Sequence, residues 1–117
     1  PHPIFTRTGY DVNCEIPITF AQAVLGDEIE VPTIDGSVRM NVPEGTQSGT
    51  KQRLKGKGIK RLQRDGRGDQ YVTLKVEVPK SLTKKQKDLL KAFEDSLEEK
   101  NYPKKKSFKD KLKELFS

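Results

Sequence analysis

Hydrophobic and polar residues alternate along four segments of this chain: Val12 to Phe20, Ile29 to Thr33, Val38 to Val42, and Val72 to Val78. A period of two gives each strand one face for a core and one for water, the habit of antiparallel sheets. Between the second and third segments, Asp35-Gly36 signals a hairpin, because both central residues of a type I′ turn need positive φ. Pro17, Pro32, Pro43 and Pro79 stand in or beside these segments. Each lacks an N–H, so each belongs at a sheet edge, a bulge or a strand end. Ala21 to Leu25 reads as one short helical turn stopped by Gly26. The expected fold is mainly β: a small antiparallel β-sandwich of two sheets over residues 1–80, with a short helix at one end, followed by C-terminal helices.

Beyond that point the period changes. Leu82, Gln86, Leu89, Leu90, Phe93 and Leu97 recur at three and four, which predicts an amphipathic packing helix within 81–99. Thr83-Lys84-Lys85-Gln86 has the spacing of a capping box. Lys84, Lys85 and Lys87 near its start, and Glu94, Asp95, Glu98 and Glu99 near its end, oppose the macrodipole by a few tenths of a kcal/mol each. Packing of the Leu/Phe stripe must then hold the helix in place. Residues 100–106 carry Pro103 and four lysines and read as a basic linker. In 107–117, Ser107 can cap a last helix whose Phe108, Leu112, Leu115 and Phe116 fall on one face. A helix of about ten residues is too short to stand alone in water. Two such stripes meeting across a two-fold axis predict a homodimer; a stripe folded back on its own domain predicts a monomer.

Composition narrows the picture. With 117 residues, 32 % of them hydrophobic, and no Trp, the chain fits one domain with a thin core. It begins with Pro, has no signal-peptide pattern and no run of about 18 apolar residues, so a soluble fragment of a longer protein, without a membrane partner, is expected. The single Cys14 lies in the alternating series Val12, Cys14, Ile16 and reads as a small buried side chain. One cysteine permits no internal disulfide, and no Cys/His cluster has zinc spacing, so a reducing, cytoplasmic setting is expected and no metal or cofactor is. His2, the only histidine, reads as a turn or packing residue. Without a nucleophile, base and orienter set, no catalytic residue is assigned and no enzyme is expected.

Charge is uneven. Residues 51–67 hold eight basic residues against the single acid Asp65, and residues 80–117 hold twelve lysines against seven acids. The rest of the chain is therefore acidic although the net charge is +6. A mobile basic loop is expected to attract acidic partners, with Lys57, Lys60 and Arg61 as its candidate residues. Nucleic acid is the alternative partner, but no aromatic residue is interleaved in 51–67 for base stacking. The glycines of the loop do not match a phosphate-binding pattern.

One stretch carries a resemblance. Val42-Pro43-Glu44-Gly45-Thr46-Gln47-Ser48-Gly49 followed by Arg53-Leu54-Lys55-Gly56-Lys57-Gly58 closely resembles the C-terminal substrate-binding region of DnaJ-type co-chaperones. Upstream, His2-Pro3-Ile4-Phe5, Glu15-Ile16-Pro17-Ile18 and Val31-Pro32-Thr33-Ile34-Asp35-Gly36 agree with it; downstream, Gly68-Asp69-Gln70, Val78-Pro79 and Leu82 to Gln86 do. The chain looks like the second C-terminal β-domain of that family plus its dimerisation segment. The resemblance implies binding of unfolded or partly folded client proteins in cooperation with the DnaK-type seventy-kilodalton heat-shock chaperone. It does not extend to a J-domain or to zinc repeats, so neither ATPase stimulation nor zinc is implied. By position, the client-binding surface would involve Ile29 and Val31, which fill the core in the simpler reading. Lys51-Gln52 departs from the family, which often has an apolar pair there. Three functions stay open: a client-binding dimeric co-chaperone module, a nucleic-acid-binding β-domain using 51–67, and a structural dimerisation spacer.

Overall fold

A computed structural model describes residues 4–62 and 66–117; His2, Pro3, Arg64 and Asp65 lie outside the described residues. The chain divides after Pro79 into two units. The first contains strands β1 (Thr6–Thr8), β2 (Asp11–Ile18), β3 (Asp27–Thr33), β4 (Gly36–Val42), β5 (Thr50–Leu54) and β6 (Gln70–Val76), with helix α1 (Phe20–Leu25) between β2 and β3. A four-stranded sheet has the order β1-β2-β6-β5, and β3 and β4 form a two-stranded sheet. All four alternating segments are strands, and the mainly β architecture of two sheets with a short helix holds.

Three ladders are antiparallel, but the central one, β2 with β6, is parallel from Val12↔Gln70 to Ile18↔Val76. Alternation reports a half-buried face and not strand direction, so the sequence carried no sign of this. Val12, Cys14 and Ile18 of β2 meet Val72 and Leu74 of β6 on the buried side. With Ala23, Val31, Met40 and Val42 they form a core drawn from both sheets and α1. The side chain of Gln70, fully buried, ties the sheets together: its Nε2 donates to the Pro32 carbonyl at 2.8 Å.

Local chemistry explains the element ends. Thr19 caps α1 in a reciprocal box with Gln22, at 3.0 and 2.9 Å, and Gly26 ends it at φ 79°. A Cβ on Gly26 would sit 2.9 Å from the Val42 carbonyl oxygen, so only glycine lets β4 pass this close. Pro17 lies in the part of β2 beyond the reach of β1, Pro32 lies in a strand paired on one side, and Pro43 and Pro79 follow strand ends. The β3–β4 loop is not the type I′ turn expected. Only Gly36 has positive φ there, at 133°, and Thr33 Oγ1 spans the turn, donating to the Gly36 carbonyl at 2.9 Å and accepting from the Asp35 amide at 3.3 Å.

The second unit contains α2 (Lys84–Ser96), a 3₁₀ turn (Glu99–Asn101) and α3 (Pro103–Phe116). The predicted box is present: Gln86 N donates to Thr83 Oγ1 at 3.2 Å and Thr83 N to Gln86 Oε1 at 2.8 Å. No residue of α2 is buried, so the caps and the Lys84–Asp88 ion pair at 3.0 Å, rather than a buried stripe, support it. α3 starts at Pro103, well before Ser107, and takes in residues 103–106 of the 100–106 stretch expected as a linker. Proline has its φ preset for a first helical position and has no N–H to satisfy there. Tyr102 then joins the elements, its hydroxyl donating to Glu94 at 2.7 Å.

Candidate functional site

The conspicuous motif Val42 to Gly49 is a joint. After β4, the Gly45 and Thr46 amides donate to the Val24 and Ala23 carbonyls, at 3.2 and 2.9 Å, and so close the C-terminal end of α1. Gly49 N then donates to Leu74 O at 2.7 Å, while Ser48 Oγ accepts from Val76 N at 2.9 Å, launching β5 along β6. Thr46, Gln47 and Ser48 of the motif thus satisfy, through their side chains, backbone groups that a loop would otherwise leave unpaired.

The candidate client residues separate. Val31 is 0 % exposed and belongs to the core, so its side chain offers no surface to a client. Its period-two position put it on the inner face, where β3 closes the sandwich. Ile29, two residues earlier, is half-buried against the same core and lies opposite Met40. Next to this sheet, Gln52 Nε2 donates to the Asn41 carbonyl at 3.3 Å, which gives the polar residue at the family-divergent position a structural task.

The basic segment is more ordered than its composition suggests. Lys51 and Arg53 are on β5, and an antiparallel bridge between Lys60 and Arg67 joins the described residues around them into a short ribbon. Gly58 N donates to Gly68 O at 2.9 Å, Gly68 N to Ile59 O at 3.0 Å, and Ile59 N to the Tyr10 carbonyl at 2.8 Å. Asp69 accepts the Gly56 amide at 2.8 Å while its own amide donates to Asp11 at 2.7 Å. The ribbon is therefore pressed against the β1–β2 turn. There the Tyr10 ring receives Arg61 at 5.6 Å and Arg7 at 5.9 Å from its centre. Sequence inspection missed Arg7 and Tyr10 as neighbours of the basic segment, since about fifty positions separate them from Arg61. Arg67 is neutralised by Asp35, and Arg53 approaches Asp69 at 3.9 Å. Among the described residues no carboxylate lies within ion-pair distance of Lys55, Lys57, Lys60 or Arg61.

In the second unit, Leu89, Leu90 and Phe93 of α2 are exposed, as are Phe108, Leu112, Leu115 and Phe116 of α3. Cys14 is buried, and desolvation pushes its thiol pKa up against a smaller downward pull from the Gln70 hydrogen bond. Among the described residues no group of three His, Cys, Asp or Glu side chains could hold a metal, and no helix is long and apolar enough to cross a membrane.

This architecture has known counterparts. The DnaJ C terminal domain family matches residues 1–79, and the Chaperone protein DnaJ C-terminal region matches residues 85–117. The chain belongs to the DnaJ C-terminal domain family. It is 56 % identical over 116 residues to the chaperone protein DnaJ of Ruminiclostridium cellulolyticum, covering 99 % of this chain and 31 % of that protein. With the DnaJ of Acetivibrio thermocellus it shares 55 % identity, covering 97 % and 30 % respectively, and with that of Clostridioides difficile 56 %, covering 98 % and 30 %. The chain thus spans about a third of the length of the curated relatives it matches. Within the DnaJ frame, the β unit coincides with the first match and both helices with the second.

Proposed function

We propose that this chain is the client-binding and dimerising C-terminal part of a DnaJ-type co-chaperone that supports protein folding together with a DnaK-type seventy-kilodalton chaperone. The observation that carries this reading is the family match along the β unit and again along the helical unit. Two physical features support it. β3 and β4 each pair on one side only among the described residues, so each leaves backbone donors and acceptors to which an extended, unfolded segment can add. Ile29, half-exposed beside that edge, supplies an apolar contact, while Val31 acts from beneath as packing. Shallow, partial burial of a client suits weak and sequence-tolerant capture.

Dimerisation rests on the helical unit. α3 presents Phe108, Leu112, Leu115 and Phe116 at 62, 40, 72 and 82 % exposure, and such apolar area is a candidate for cover by a second copy. The protein works in the cytoplasm in this reading and has no catalytic step.

Suppression of aggregation of a chemically denatured protein by the purified chain, combined with NMR shift mapping of the bound client, tests the proposal. Suppression with perturbations around Ile29 is expected. If the chain leaves aggregation unchanged, it is a structural spacer and client capture lies elsewhere in the full-length protein.

A further inference from the structure

The geometry points to a second binding surface: we infer that Arg7, Tyr10 and Arg61, with Lys57 and Lys60, dock an extended acidic peptide segment. The surface is built before any partner arrives. Cβ atoms added to Gly58 would stand 2.5 Å from the Tyr10 carbonyl oxygen, and those on Gly68 would overlap it, so the ribbon and the β1–β2 turn fit together only because both positions are glycine. That fit carries Arg61 to a ring 51 positions away in sequence, where Arg7 of β1 already lies.

Two guanidinium groups on one ring repel each other, and the attraction of each to the ring offsets part of that cost. A guanidinium has five N–H donors in a fixed fork suited to carboxylates. Arg7 directs its Nε–H to the Gly9 carbonyl at 2.6 Å, which leaves its terminal nitrogens for a partner. Lys57 and Lys60 add positive charge that no described carboxylate neutralises. The remainder of the β unit is acidic, so the field of the molecule guides an anionic partner to this patch and away from the other faces.

Two observations favour a peptide over a nucleic acid. Among the described residues β1 is an exposed edge strand, paired only with β2, and Arg7 is its central residue, so an extended chain can use the other edge of β1 while its carboxylates meet the cations. The ring that the fold brings to residues 57–61 is engaged by two guanidinium groups and is not left as a platform for base stacking.

Fluorescence anisotropy separates the possibilities. The intact chain is titrated against a labelled peptide of about ten residues alternating Val with Asp or Glu, a peptide with Ser in place of the acids, and a single-stranded oligonucleotide of similar length. Binding of the acidic peptide alone, or most tightly, is expected, weakened several-fold when salt rises from about 50 to about 300 mM. The Arg7→Gln, Arg61→Gln double variant should bind it about fivefold or more weakly. If that variant melts early, Lys57→Gln with Lys60→Gln serves in its place, with a loss in the same direction. Equal binding of the Ser peptide, tighter binding of the oligonucleotide, or undiminished binding by a folded variant overturns the inference. None of these outcomes bears on client capture at Ile29, which the aggregation assay reads separately.

Discussion

Replacing Gly68 by Ala adds a single methyl group where the chain has no room for it. Its Cβ would overlap the carbonyl carbon and oxygen of Tyr10 and lie 2.9 Å from Asp11 Oδ1. Two of these three atoms are backbone, so no rotamer change relieves the clash. Either the β1–β2 turn or the ribbon must shift. A shift puts at risk the bonds Ile59 N to Tyr10 O, Gly58 N to Gly68 O and Asp69 N to Asp11 Oδ1. Overpacking costs about 1–3 kcal/mol, and weakening two hydrogen bonds at roughly 0.5–1.5 kcal/mol each brings the total to about 2–6 kcal/mol. For a unit of this size, each kcal/mol lowers Tm by about 4–8 °C, so a fall of at least about 8 °C, and up to about 48 °C, is expected by scanning calorimetry. Gly9→Ala in the same turn is the comparison. Its Cβ would meet open space at φ 62°, so only the left-handed backbone penalty of about 1–2 kcal/mol applies. A Gly68→Ala loss below about 4 °C, or one no larger than that of Gly9→Ala, would show that the ribbon is not held against the turn and would refute this account.

The surface charge on the ribbon should matter far less to stability: neutralising Lys57, Lys60 and Arg61 together should move Tm by only a few degrees, since a single exposed cation–π contact of about 0.5–1 kcal/mol is lost. A fall as large as that of Gly68→Ala would contradict it. Leu112→Asp with Leu115→Asp removes about one exposed side-chain equivalent per copy, worth about 3–6 kcal/mol per dimer. Sedimentation equilibrium should then show dissociation at least a hundredfold easier, about 1.4 kcal/mol per decade, in a chain whose β unit still melts normally. Cys14 has its pKa raised in the fold, so the unfolded thiol ionises first and stability is lost as pH climbs above about 8.5. Cys14→Ala, though less stable throughout, should lose less stability than the parent between about pH 8 and pH 10; parallel losses in chemical denaturation would refute the assignment.

Legibility followed sequence range. The four alternating strands, the short α1, the box at Thr83 and the apolar stripes on α2 and α3 all depend on residues within a turn or two, and their periods are visible in the chain. β5 was not legible, because Thr50 to Leu54 alternates between half-buried and exposed positions with mostly polar side chains on both. β1 has three exposed residues and no pattern to read. Ser107 suggested a helix start by its capping chemistry, but Pro103 competes for that role four residues earlier and begins α3. At the candidate sites, the basic residues could be counted but their rigidity could not, since Gly58 and Gly68 acquire meaning only from Tyr10. Val31 shows the opposite limit: a resemblance by position assigned it to a surface, and its own alternation assigned it to the interior, where it lies.

The parallel ladder has a consequence for synthesis. β3 and β4 can zip together as soon as both have left the ribosome, because their partners lie at most about fifteen residues apart. β2 must wait. Every partner it has in β6 follows 58 positions later, from Val12↔Gln70 to Ile18↔Val76, so loop closure sets the pace of sheet assembly. Until β6 emerges, the apolar face of β2 and its open edge resemble those of an unfolded polypeptide. The nascent β unit is then itself the kind of chain that chaperones capture.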